Sequence, residues 1–509
     1  MISTKSLASI LIAIGFHLLS SFAIAHSPQS KEIIIVAPWE ITSADPSKSG
    51  EIFQRMQLAE TLVDVDSTGQ LIPALAESWS TNEEATVWTF KLRPHVLFHD
   101  GTPLTAQNVL KSLITAQKKP SVLNKIAIDR IEAPDNNTVK IILKQGLRSL
   151  PAFLTHYTTL ILADASFDQD NVTNIIGTGP FKLKTLEPPQ SLTAEYFEKY
   201  WGKHATIHHV KYLATSRSES RTLMAESADN YVVYNLDAAS VNRLRRNPDL
   251  HLQSKSIART IQLKMNIAHP LFDQIEEREV LSGAINRKGI ANAVLRFKES
   301  EADQILPPTF AEWQIHTSSQ SPDYNALRQK LIHIGYTVNA DGILEKDGKP
   351  LKFTLRTFSD RPELPLIATA LQNQWKQLGA DVHVAIGNFS EIPAGHNDGT
   401  LEMALYARNY GILPDPLGAL LQDFAPTGSD WGVMNWHDEA LSQALTALET
   451  ETALDKIKQL KQQVSQRIYQ QKPLIPIVYY QQTAVSHKSL KGLKLDPFER
   501  SFHLNELSW

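Results

Sequence analysis

The chain of 509 residues contains no cysteine. That absence excludes a disulfide framework, a thiol nucleophile and any thiolate metal centre. After the N-terminal segment there is no further apolar run long enough to cross a bilayer. Basic residues are not in excess: the formal net charge is −4, with both signs interspersed. Such a chain has no electrostatic footprint for nucleic acid or an anionic membrane. Neither a Gly-x-Ser-x-Gly elbow nor a His-Glu-x-x-His motif occurs. Low-complexity linkers are missing too, so the two or three domains expected at this length are interleaved rather than tethered.

What is present begins with an export signal. Lys5 supplies a positive charge, and an apolar run follows from Leu7 to Leu19, interrupted by Ser9, Gly15 and His17. It closes on Ala23-Ile24-Ala25, a small-x-small pattern that predicts cleavage before His26. The run is too short and too interrupted for a stable membrane span. Loss of Lys5 with the signal leaves a mature charge of −5.

The mature chain alternates strand and helix patterns, which predicts an α/β fold. Ile33–Ala37 is a continuous, mostly β-branched run, as in a buried strand. Periodicity predicts helices at Gly50–Leu62, after a Thr105 cap, at Ile275–Val294, at Leu366–Leu378 and at Leu454–Tyr469, the last with Thr452 and Asp455 as a capping box. Strands are predicted at Val87–Leu92, Thr138–Leu143, Phe181–Leu183, Ile261–Asn266, Leu351–Arg356, Ala380–Val384 and Leu474–Tyr479. Trp79, Trp88, Phe90 and Phe98 read as core. Gly177 and Gly179 read as positions needing backbone angles closed to other residues.

One stretch carries most of the information. It runs Leu71-Ile-Pro-Ala-Leu-Ala-Glu-Ser-Trp79, Val87-Trp-Thr-Phe-Lys-Leu-Arg93 and Phe98-His-Asp-Gly-Thr-Pro-Leu-Thr-Ala-Gln-Asn-Val109. With Gly177-Thr-Gly-Pro-Phe-Lys-Leu183, Tyr200-Trp-Gly202, Arg278–Arg287, Gln377–Ala380 and Ile475-Pro-Ile477, it resembles the family 5 extracellular solute-binding proteins, the oligopeptide, dipeptide and nickel binders of ATP-driven (ABC) importers. The resemblance implies a two-lobed periplasmic binding protein fold with a strand hinge near Ile261–Asn266 and Pro476–Tyr480. It implies a signal peptide at 1–25, a first lobe at 26–258 with a return at 480–509, and a second lobe at 259–479. The missing cysteine argues against a lipid anchor and for a free protein in the periplasm of a Gram-negative cell.

The same resemblance directs attention to Ala407–Pro416. Peptide-binding members carry a tryptophan there, followed three residues later by an aspartate that pairs with the ligand's ammonium. Tyr410 and Leu413 occupy those positions here, and the nearby Asp415-Pro416 reads as structural. The loop is similar to the nickel-binding branch, whose chelate carboxylates are held by arginines; those positions fall near Lys118 and Leu160. The candidate cleft residues are therefore Arg408, as a carboxylate clamp, Asn409, Tyr410, as a stacking ring, Lys118, and Trp431 in its Gly-flanked loop. Trp436 reads as packing.

His204, His208 and His209 read as a surface cluster, because strand spacing holds His204 and His208 too far apart to chelate together. The expected cargo is a peptide-like solute or a nickel or other metal chelate. The expected partners are the membrane permease subunits, with no nucleic acid, no cofactor and a monomeric state. The alternatives are an exported hydrolase, or a ligand sensor outside transport built on the same fold.

Overall fold

The computed structural model describes residues 32–317, 321–359, 361, 363–426 and 428–509. The export signal at 1–25 lies outside the described residues. Ten strands form one mixed sheet: β1 (Ile33–Ala37), β2 (Phe181–Glu187), β3 (Ser191–Tyr196), β4 (His209–Ala214), β5 (Tyr231–Tyr234), β6 (Leu250–Met265), β7 (Lys352–Phe358), β8 (Asp381–Gly387), β9 (Met403–Asn409) and β10 (Leu474–His487). Their spatial order is β2-β3-β4-β1-β5-β10-β6-β9-β7-β8. β1 runs parallel to β4 and β5, and β7 runs parallel to β8 and β9. Such central parallel strands are covered on both faces, which is why Ile33–Ala37 has no polar alternation.

Separate cores fill the two halves. One packs Ile33, Ile35, Tyr212 and Tyr234 against Leu490, Leu493, Phe502 and Leu504 of the C-terminal segment. The other packs β6, β7 and β9 against the helices Ile275–Gly283 and Glu363–Leu378, with Phe353 meeting Trp375 edge-on at 5.6 Å. A third cluster lies against a four-stranded sheet, two of whose strands come from the most recognisable stretch of the sequence, and it buries Trp88, Phe90 and Phe98. The result is a two-lobed α/β molecule.

The lobes are joined by β6 and β10. These pair antiparallel from Leu250↔His487 to Lys264↔Leu474, with register shifts between Ser256 and Thr260 and again between Ile261 and Gln262. In the gap, β6 turns its hydrogen bonds to other partners. Ala258 N–H donates to Pro497 O at 3.1 Å, and Ala258 O accepts from the N–H groups of Tyr410 and Gly411 at 2.9 and 3.1 Å. Only glycine fits at 411, where a Cβ would stand 2.3 Å from that of Ala258. The wider break thus falls just before the predicted Ile261–Asn266, where two other chain segments compete for the backbone of β6, and the smaller shift at Ile261 and Gln262 falls within it.

Several predicted elements change for local reasons. The first helix spans Pro46–Arg55, earlier than Gly50–Leu62, because Asp45 caps it by accepting from Ser47 N–H at 2.9 Å. The single helix predicted at Ile275–Val294 ends at Gly283, and Asn286 starts a new turn by accepting from Gly289 N–H at 2.8 Å. Thr452 and Asp455 form no capping box; Glu451 instead accepts from the N–H groups of Thr452 and Ala453. Gly177 and Gly179 have no positive φ. They are needed for close approach: a Cβ would meet Leu58 O at 2.3 Å and Gln57 O at 2.1 Å.

That approach serves a buried carboxylate. Glu60 accepts from Thr178 Oγ1 at 2.7 Å, Tyr200 Oη at 2.9 Å and Trp201 Nε1 at 2.9 Å. The Gly177–Pro180 and Tyr200–Gly202 blocks therefore converge on one side chain. Burial pushes the Glu60 carboxyl up to about 7, against the pull of its three donors.

Candidate functional site

A cleft of about 1070 Å³ opens where β6 and β10 cross between the lobes. One wall carries Trp39, Glu51, Arg55, His156, Tyr157 and Asp237. The other carries Phe358, Phe389, Ala407, Arg408, Ile412 and Trp431. Arg259, Tyr480, Glu499 and Arg500 also line it, from the crossing strands and the C-terminal return.

Arg408 stands at the end of β9 and is held from behind. Its Nε donates to Asp423 Oδ2 at 2.8 Å and its Nη2 to Oδ1 at 2.6 Å. Asp423 is wholly buried, whereas Arg408 keeps 13% of its side chain exposed. The pair therefore turns guanidinium, not carboxylate, toward the cleft. A guanidinium has five N–H donors and the fork uses two, so donors remain for an anion. Burial works against the Arg408 charge, but Asp423 outweighs it and raises the pKa. Burial likewise raises Asp423, opposed by Arg408 and Lys264.

Beneath this wall lies a buried polar network from β6 and β9. Tyr410 Oη donates to Gln262 Oε1 at 3.1 Å, Gln262 Nε2 donates to Tyr406 Oη at 2.9 Å, and Tyr406 Oη donates to Trp431 O at 2.5 Å. The fully buried Lys264 donates to Ser429 O at 2.8 Å and Asp430 O at 2.9 Å. Burial lowers its ammonium to about 7, with Asp423 and Asp430 opposing. These contacts fix the loop that presents Trp431 to the cleft.

On the other wall the arginines are each held by a partner, yet Arg55 Nη1 and Arg500 Nε stay without one. Arg55 stacks 4.1 Å over Trp39, donates from Nε to Glu499 O at 2.6 Å, and lies 3.9 Å from Glu51. Arg500 donates to Thr155 O at 2.6 Å and Asp64 Oδ1 at 2.7 Å. Arg259 meets Glu499 at 3.3 Å, and both Arg259 and Arg361 approach the Tyr480 ring, at 5.4 and 5.3 Å. His156 packs on Tyr157 at 4.0 Å; burial, reinforced by Arg500, depresses it to about 3 and keeps it neutral. Its Nδ1 accepts from Thr158 N–H at 3.3 Å.

Of the residues singled out by sequence, Arg408, Asn409 and Trp431 line the cleft. Tyr410 does not: it is fully buried in the core with its hydroxyl on Gln262. Tyr410 lies just past the end of β9, and its N–H donates to Ala258 O at 2.9 Å, which draws it against β6 and into the core. Lys118 caps the end of the helix Ala106–Gln117, away from the cleft, in an exposed pair with Asp170 at 2.9 Å. Leu160 is core. Asp415 caps Leu417 N–H and meets Lys461, and Trp436 packs against Phe424. His204 Nδ1 bonds the Tyr196 hydroxyl at 2.6 Å and His208 stacks on the same ring. Sequence reasoning missed Arg55, His156, Arg259, Tyr480 and Arg500. Among these Arg259 and Tyr480 had a local signal, Arg259 standing two residues before the predicted crossing strand and Tyr480 ending the predicted hinge segment.

Residues 70–431 match the bacterial extracellular solute-binding proteins, family 5 middle region. The nickel-binding periplasmic protein of Escherichia coli K12 is 25% identical over 491 residues, covering 91% of this chain and 93% of its own length. The glutathione-binding protein GsiB of the same strain is 23% identical over 514 residues, covering 96% of each chain. A crystal structure of a nickel ABC transporter from Bacillus halodurans superposes with a TM-score of 0.84 at 26% identity, over 94% of this chain and 99% of that one.

Proposed function

The chain belongs to family 5 of the bacterial extracellular solute-binding proteins, and from that membership we propose that it is the periplasmic substrate-binding component of an ABC importer. It captures a peptide-like solute or a metal chelate between its lobes and delivers it to the permease without chemical change. The lobes comprise about 26–258 with 480–509, and 259–479, and they close about the crossing of β6 and β10.

One observation carries the reading: a large cleft at that crossing into which Arg408 is turned by the buried Asp423. A peptide terminus and a chelating acid both offer the carboxylate that such a fork accepts. Relatives named for nickel and for glutathione bracket the same chemistry. No carboxylate stands at Leu413 to receive a free ammonium, and Asp415 is engaged by Lys461, which favours the carboxylate end as the anchored one.

The test is titration of the mature protein with nickel–histidine and with di- to pentapeptides, followed by native mass spectrometry. Binding that raises the unfolding temperature, with the solute recovered intact, supports the carrier reading. Turnover of any of these solutes would sink it.

A further inference from the structure

The two cleft walls differ in what they leave uncovered. Among the described residues, the exposed large apolar side chains that line the cleft are Phe389, at 48%, and Ile412, at 47%, both on the wall that carries Arg408. Phe389 is held outward on a fixed turn: Asn388 Oδ1 accepts from Ser390 N–H at 3.0 Å, and Asn388 N–H donates to Glu391 Oε1 at 3.0 Å. Its ring meets Phe358 edge-on at 6.4 Å, and Phe358 also lines the cleft. Trp431 is presented on the same wall by the buried network described above. A single exposed phenylalanine is ordinary, but an exposed aromatic beside other apolar groups inside a ligand-sized cleft is surface waiting for cover.

What covers it must also satisfy charge. Asp237 is occupied in capping the helix Ala238–Leu244, and Glu499 is paired with Arg259. Six arginines line the cleft against four carboxylates, and among them Arg408 keeps unused donors on the same wall as Phe389. Resting on the carrier reading, we propose that the cargo is an amphipathic anion: a carboxylate-bearing solute with an aromatic or branched aliphatic group that seats on Phe389, Phe358 and Ile412 while its carboxylate meets Arg408. The aromatic wall is then the specificity determinant, and small hydrophilic acids are poor cargo.

The mature protein is titrated with anilinonaphthalene sulfonate, an aromatic anion whose fluorescence rises on apolar surfaces. Phe389→Ser is expected to weaken dye binding about fivefold, the effect of losing roughly half of a phenylalanine's burial. Ile412→Ser weakens it less, and Leu454→Ser, at a residue 82% exposed outside the cleft, leaves it unchanged. Indole-3-propionate should displace the dye at concentrations at least about tenfold below those of succinate. Wild-type dye affinity in Phe389→Ser, or displacement by succinate as readily as by indole-3-propionate, overturns the proposal. Arg408→Gln separates this from the carrier reading: if it leaves displacement by indole-3-propionate unchanged while Phe389→Ser does not, the carboxylate anchor fails and the aromatic wall stands. The reverse result removes the aromatic wall and keeps the anchor.

Discussion

The wall built by β7, β9 and the Trp431 loop, and the wall built by the first helix and the His156 segment, reach the same cleft by opposite means. The first is assembled over a buried polar network and turns apolar rings outward together with Arg408 and Arg361. The second pairs its charges among themselves, with Arg55 on Trp39 and Arg500 on Asp64. The difference teaches that a charge lining a cleft is informative only after its partners are counted. Arg408 and Arg500 each commit two N–H donors, but Arg408 commits both to a carboxylate hidden wholly behind it, whereas Arg500 divides them between the Thr155 carbonyl and the half-exposed Asp64.

The comparison breaks most visibly at Arg408. Arg408→Ala leaves Asp423 buried beside Lys264 alone, so a loss of about 3–5 kcal/mol in denaturant unfolding is expected, together with weaker binding of a carboxylate cargo. Arg408→Lys keeps the charge but not the fork, and should fall between. Unchanged stability in Arg408→Ala would mean that Asp423 finds other solvation, and the contrast between the walls would lose its basis.

Next in size is Glu60, the buried hub of the first lobe. Glu60→Ala strands three donors, of which Thr178 is fully buried and the other two half-buried, and should cost about 3 kcal/mol. Glu60→Gln keeps one acceptor oxygen, enough for the two donors that share Oε2, and removes the titration. The folded carboxyl sits near 7, above the value of 4.5 for the free side chain. Between those values the folded protein holds a proton that the unfolded chain has released. Stability from this group is therefore full below about pH 4.5 and falls as the pH rises through 7. Unfolding measured from pH 4.5 to 7 should show a weaker decline in Glu60→Gln than in the wild type.

Smaller effects sharpen the picture. Gly411→Ala forces a Cβ against Ala258, and about 1–3 kcal/mol of strain is expected at the strand crossing. If thermal unfolding shows none, the crossing is plastic there. Lys118→Ala removes only an exposed pair, 53% and 60% accessible, so changes below about 0.5 kcal/mol in stability and no change in cargo affinity are expected.

Much of the architecture was legible because periodicity and turn chemistry act locally. Thr138–Leu143 forms a strand with the predicted bounds, and the Thr105 cap and the helix ending at Leu378 stand where the pattern put them. The cleft was legible only in part. Trp431 was found because glycine and polar neighbours mark a presented loop, and Arg408 because a known loop spacing pointed to it. Tyr410 was misplaced because the chain leaves β9 after Asn409 and bonds Ala258, a residue about 150 positions away that sequence spacing could not bring to it. Lys118 was misplaced because a cation looks the same in sequence whether it faces a ligand or Asp170.

By itself, the sequence determined the fold class, the family, the absence of thiol chemistry and the strand–helix order, since each depends on composition or on neighbours a few residues apart. Only the tertiary structure decided which charges remain available. Arg55, Arg259, Arg408 and Arg500 come from segments hundreds of residues apart, and what each can offer a ligand depends on Glu499, Asp423 and Asp64 meeting them across the fold. Electrostatic availability is a property of distance in space, and that is the quantity a linear sequence does not carry.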